Sequence, residues 1–123
     1  MKSIRSLLVA VIAALAFVSF PAVAGGQVLL NGVTATGTGN EFYIQQANRT
    51  FEATVTGTGA VSATVVVEGS DDGVGWVTLG TLTLSGTTSA SDGFAILAPW
   101  SEVRGDVTAI TSGDSVTLTM GAQ

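Results

Sequence analysis

Residues 61–80 read VSATVVVEGSDDGVGWVTLG. Val61, Ala63, Val65 and Val67 alternate with Ser62, Thr64, Val66 and Glu68. A period of two sends successive side chains to opposite faces of a strand, so this run reads as a half-buried strand. Residues 69–75, GSDDGVG, form a turn, and the chain returns through residues 76–84 as a second strand. Across Gly80 the apolar parity slips, from Val77 and Leu79 to Leu82 and Leu84. A one-residue slip at a glycine is what a β-bulge does to a strand. The segment is a hairpin, and its reading makes the chain antiparallel and all-β.

The same pattern continues on both sides. Residues 27–33 read as a strand ended by Asn31-Gly32, a two-residue hairpin signal. Residues 34–40, TATGTGN, are polar and broken by glycine. In residues 41–47, Phe42 and Ile44 face one way and Glu41, Tyr43 and Gln45 the other. In residues 49–56, Phe51, Ala53 and Val55 oppose Thr50, Glu52, Thr54 and Thr56, and Gly57-Thr58-Gly59 reads as a turn. Beyond the hairpin come a polar loop (85–93), a short apolar run (94–97), a Pro99-Trp100 corner, and strands at 103–110 and 115–120 joined by TSGD.

No stretch after residue 24 holds a helical i, i+3, i+4 apolar stripe of ~10 residues. Seven or eight short strands with turns at this spacing predict an antiparallel β-sandwich, jelly-roll-like, as a single domain over residues 25–123. Its expected core is Phe51, Val55, Val61, Val65, Val67, Trp76, Leu82, Val107, Val116 and Leu118.

The first residues read differently. Lys2 and Arg5 precede an uncharged apolar run from Leu7 to Phe20, then Pro21 and Ala22-Val23-Ala24 before Gly25. A positive start, an apolar stretch shorter than the ~20 residues of a spanning helix and an A-x-A site predict a signal peptide over residues 1–24. The expected product is exported, to the periplasm, the exterior or a virion surface, with no stable membrane insertion after cleavage. It would keep Arg49 and Arg104 against nine acids, a net charge of −7.

Composition removes whole classes of chemistry. The 123 residues include no Cys and no His, which excludes thiol nucleophiles, Ser-His triads, disulfides and the usual zinc and haem ligand sets. An acidic balance leaves no basic footprint for nucleic acid. Glycoside hydrolysis needs two acids held across a cleft, and loops this short offer none. The expectation is a non-enzyme.

Three groups remain as candidates. Asp71 and Asp72 either shape the turn or bind calcium; two adjacent carboxylates fall short of the ~6–8 oxygens calcium takes unless Asp92 or Asp114 joins them. Turn geometry accounts for them without that help, so no cofactor is expected. Tyr43 and Trp100 are the aromatic candidates for ligand or partner contact, Trp100 because it follows Pro99 at a corner. Arg104, mid-strand, is expected to pair with Glu102 or Asp106 or to cover apolar surface. Asn48-Arg49-Thr50 fits the glycosylation sequon, which has meaning only in a eukaryotic secretory route.

VEGSDDGVGWVTLG, followed by APWSEVRGDVTAI and SVTLTMG, resembles the strand–turn–strand and later W-x-x-V-R strand of small phage-encoded β-sandwich proteins, the head-decoration, tail or fibre-associated accessories of virions. The same segments resemble the discoidin (F5/8 type C) pattern. The first resemblance implies a non-catalytic structural module in a protein lattice or homo-oligomer; the second implies a secreted carbohydrate-binding or adhesion module with a glycan partner.

Overall fold

The computed structural model describes residues 26–43, 47–97 and 99–122. The predicted signal peptide, and with it Ile44 and Gln45, lies outside the described residues. Seven strands run in chain order: β1 Gly26–Val33, β2 Gly37–Thr38, β3 Phe42–Tyr43, β4 Asn48–Ser70, β5 Val77–Leu97, β6 Glu102–Ile110 and β7 Ser115–Ala122. The antiparallel β-sandwich forms as expected, but two of its strands are far from short.

β4 has 23 residues and β5 has 21, and they pair with one another from Asn48↔Leu97 to Gly69↔Val77. The hairpin folds over on itself at Gly57–Gly59, where three residues of β4 stand opposite Thr88 alone. Residues 49–56 then pair with β7, which pairs with β1, while residues 63–70 pair with β6, which pairs with β2 and β3. Each long strand thereby supplies one strand to each wall of the sandwich.

The turn expected at 57–59 is thus a bend, and the physical reason lies in parity. Phe51, Ala53 and Val55 share their face with Val61, Ala63, Val65 and Val67, and all are buried. A bend that preserves parity lets one face of one strand line both walls of the core. The polar loop expected at 85–93 is likewise strand. Backbone pairing to β4 holds it, and an outer strand needs no apolar side chain on its solvent face. Asn31-Gly32 does not turn a hairpin either: β1 runs on to Val33, with register slips against β7 that bring both Leu29 and Leu30 into the core.

The bulge predicted near Gly80 is present, with Leu79 as the extra residue between Val67↔Gly80 and Glu68↔Thr78. Gly80 has a second role. Phe94 of the opposite wall lies so close that a Cβ there would sit 2.6 Å from the ring, and Phe94 in turn packs on Phe51 at 5.2 Å between centroids. Nine of the ten predicted core residues are buried; Trp76 is not among them.

Candidate functional site

The fold gathers several loops at the end of the sandwich opposite the Gly57–Gly59 bend. The 70–76 turn, β3, the 99–101 corner and the outer ends of β4 and β5 all meet there. Tyr43 is paired with Glu102, which is also opposite Ser70. Its side chain is 78% exposed, and Val74 and Leu97 are similarly bare at 83% and 72%. These are three of the most exposed large apolar side chains among the described residues.

Trp100 is half-buried and closes the core at this end. Its ring covers Gly69, where a Cβ would lie 2.8 Å from Cγ and 3.1 Å from Leu79. Asp71 fastens the turn to the same corner: its Oδ1 accepts the Ser101 N–H at 3.2 Å and the Ser101 hydroxyl at 3.4 Å. Asp71, Pro99 and Trp100 border a hollow of about 280 Å³. Of the candidates that the amino-acid sequence points to, the structure therefore brings Trp100 and Asp71 together, with Tyr43 beside the same turn across Glu102.

Asp72 serves the turn itself. Its Oδ1 accepts the N–H groups of Val74 at 2.8 Å and Gly75 at 2.9 Å, and the Ser70 hydroxyl donates to it at 3.0 Å. Those bonds hold the Asp72 carboxyl below its ordinary value of 3.8, the Val74 and Gly75 amides contributing most. The acids invoked to complete a calcium shell lie elsewhere. Asp114 accepts the Ser62 N–H at 3.2 Å, eight positions along β4 from Ser70 and so roughly 26 Å away at ~3.3 Å per residue. Asp92 stands opposite Ala53 in the other wall. Among the described residues no three acids come together in a group that could hold a metal ion.

Arg104 departs from expectation in its partners. Its Nε donates to Glu68 Oε1 at 2.8 Å, Glu41 lies 3.9 Å from its NH1, and its guanidinium sits 4.0 Å over the Trp76 ring. The register explains this. Arg104 is directly opposite Glu68, and a cross-strand neighbour at ~5 Å is nearer than the i±2 residues Glu102 and Asp106 on its own strand. Trp76, expected in the core, is held on the outer face by this cation–π contact, which desolvates the ring on one side only.

Arg49 does not stand out in the sequence, yet it is structurally central. It is 1% exposed, and its NH2 donates to the Trp100 carbonyl at 2.6 Å, tying one wall to the corner of the other. Burial lowers its pKa from the ordinary guanidinium value, yet an arginine keeps its charge in proteins. A signal is present: Arg49 continues the parity of Phe51, Ala53 and Val55, the inward face. Above it, Asn48, Thr50, Ala95, Leu97 and Gly121 line a second hollow of about 380 Å³.

No family model matches the chain, and no curated protein does. Solved structures match it in fold. The SPBc2 prophage-derived protein YomS superposes with a TM-score of 0.56 at 14% identity, over 80% of this chain and 91% of that one. A CBM4 structure gives 0.52 at 12% identity, over 82% of this chain and 73% of the other. The CBM36-1 domain of a multidomain xylanase from the hindgut metagenome of Trinervitermes trinervoides gives 0.51 at 11% identity, over 80% and 98%. At such identities the likeness is one of fold. A phage-derived β-sandwich stands among the chain's structural neighbours, as the resemblance of its second half implies.

Proposed function

We propose that the chain is a non-catalytic structural and binding module that works at an exterior surface, as an accessory protein of a phage particle. Its contact with the particle is made by the loop end that carries Tyr43 and Trp100. The observation that carries this reading is the contrast between the charged groups and the apolar ones. Arg49, Arg104, Asp71, Asp72 and Asp114 are all engaged in holding the fold, whereas Tyr43, Val74 and Leu97 stand bare at one end. Exposed apolar side chains at one end of the sandwich suit a contact surface. A prophage-derived protein with the same fold and the A-x-A leader support the setting, an exported particle component. The test is copurification: the protein should band with assembled particles from the cells that encode it, and a protein found only in the free fraction overturns the reading.

A second reading is favoured by the hollow bordered by Asp71, Pro99 and Trp100. A tryptophan beside a carboxylate suits a sugar ring, the aromatic face taking the sugar's apolar face and the acid its hydroxyls. Two of the fold neighbours are carbohydrate-binding modules. Binding on a glycan array that disappears in a folded Trp100→Ala variant would support this reading over the first.

A further inference from the structure

β5 is paired on one side only. Its partner along its whole length, but for the irregularities at Leu79 and Thr88, is β4, and among the described residues no strand pairs with its other side. A long free edge of this kind is a template for another strand, and proteins usually guard it with charge, proline or irregularity. Here the guards are unevenly placed. No charged residue and no proline lies between Asp72 and Asp92. The register with β4 is regular from Thr87 to Gly80, bounded by the Leu79 bulge at one end and by Thr88, with φ of 62°, at the other. Between those irregularities the edge is straight and neutral.

That straight segment, Gly80–Gly86, reads GTLTLSG. It is its own reverse about Thr83, with Ser85 standing in for Thr81. We propose that two copies of the chain join edge to edge through this segment, antiparallel, with the two-fold axis at Thr83. The symmetric register sets Thr83 against Thr83 of the second copy, Leu82 against Leu84, Thr81 against Ser85 and Gly80 against Gly86. Thr81, Thr83 and Ser85 are exposed, while Leu82 and Leu84 are buried. Facing hydroxyls stabilise such cross-strand pairs, and the leucines continue the inner layer of the sandwich from one copy into the next. A closed two-fold contact of this kind needs one surface that complements itself, and a sequence palindrome on a free edge supplies it.

Charge selects the occupant. The described residues hold two arginines against nine acids, so a second copy is repelled over most of the surface. The neutral run from Gly73 to Ser91 is where that repulsion is least. The other half of the same edge serves less well: a two-fold pairing of residues 89–97 about Gly93 sets Asp92 against Phe94 and on the diagonal from Asp92 of the second copy, ~7–8 Å apart, which adds a like-charge contact that the neutral segment does not have. The pairing deepens the structural-module reading by naming another copy as a partner, and the loop end takes no part in it.

The experiment is the solution mass of the full chain, expressed with its own leader and purified after processing, by light scattering on a sizing column. The wild type should run as a dimer. Thr83→Lys places two lysines on the axis and should halve the mass while keeping the wild-type melting curve. Thr36→Lys, the same charge change on an exposed loop, should stay dimeric. Because either lysine lowers the net negative charge, non-specific association would strengthen in both variants, so a loss confined to Thr83→Lys reports the edge. If Thr83→Lys does not fold, Thr83→Cys decides: in a chain without other cysteines it should give a reducible dimer on oxidation, and Thr36→Cys should not. A single-chain mass for the wild type, or a dimer indifferent to Thr83→Lys, overturns the pairing. A monomer that still bands with particles would leave the surface-module reading standing, and a dimer that never does would overturn that reading alone.

Discussion

Val65→Ala and Val66→Ala test the face assignment at the centre of β4 with neighbouring residues of one kind. Val65 is fully buried between Leu82 and Val107, whereas Val66 points to the outer face between Thr81 and Asp106 and is half-buried. Valine to alanine removes two methylene equivalents, ~1.6 kcal/mol at ~0.8 kcal/mol each. If the walls do not close, a void of about 50 Å³ adds ~1.2 kcal/mol at ~24 cal/mol per Å³. Val65→Ala should therefore cost about 2–3 kcal/mol, and Val66→Ala under ~1 kcal/mol. For a domain near 100 residues each kcal/mol lowers Tm by roughly 4–8 °C, so Val65→Ala should melt at least ~8 °C below the wild type. Thermal unfolding followed by circular dichroism reads both. Charged substitutions sharpen the contrast: Val65→Asp should not fold, because it buries an unpaired charge, and Val66→Lys, opposite Asp106 on the outer face, should. Equal melting of the pair, or a larger loss at Val66, would refute the strand orientation on which the bent hairpin depends.

Gly69→Ala should lower stability by roughly 1–3 kcal/mol, as overpacking does, because its Cβ meets the Trp100 ring and Leu79; the shift in tryptophan emission that accompanies it distinguishes a displaced ring from a general loss. Asp72 is held ionised by the turn, its pKa lying below 3.8. Its folded value is below its unfolded one, so its contribution is complete above 3.8 and is lost as pH falls through the folded value. A Tm–pH series should show this acid-side loss in the wild type and not in Asp72→Asn. Arg104→Gln should free Trp76, raising its accessibility to a neutral quencher, since the guanidinium covers that ring. Unchanged quenching would show that the stack does not shield the indole.

The hairpin of residues 61–84 is legible in the sequence because alternation, turn residues and the parity slip at Gly80 are all local. The inward face of β4 is legible for the same reason. What the sequence does not disclose is where a glycine ends a strand and where it bends one. Gly57 and Gly59 carry the same local signal as the true turn at Gly73; only the requirement that both halves of β4 face one core separates them. The 85–93 segment reads as loop because its pairing comes from β4 rather than from its own side chains. At the site, Trp100 and Asp71 stand out by composition and position, but their meeting depends on a contact across the corner at Ser101. The size of Trp76 argues for the inside, and the cross-strand register, invisible in the sequence, sets Arg104 over its ring. Extending the parity of Phe51 by two residues finds Arg49, against the prior that arginine stays outside.

In the proposed role the loop end is the face presented to a larger particle. Particles produced without this chain, with purified protein added back, test that directly by quantifying bound copies against free concentration. Wild-type protein should bind saturably at a fixed copy ratio, and Tyr43→Ser, which removes an exposed ring without touching the core, should bind far more weakly at an unchanged Tm. No saturable binding by the wild type, or equal binding by Tyr43→Ser, would contradict it.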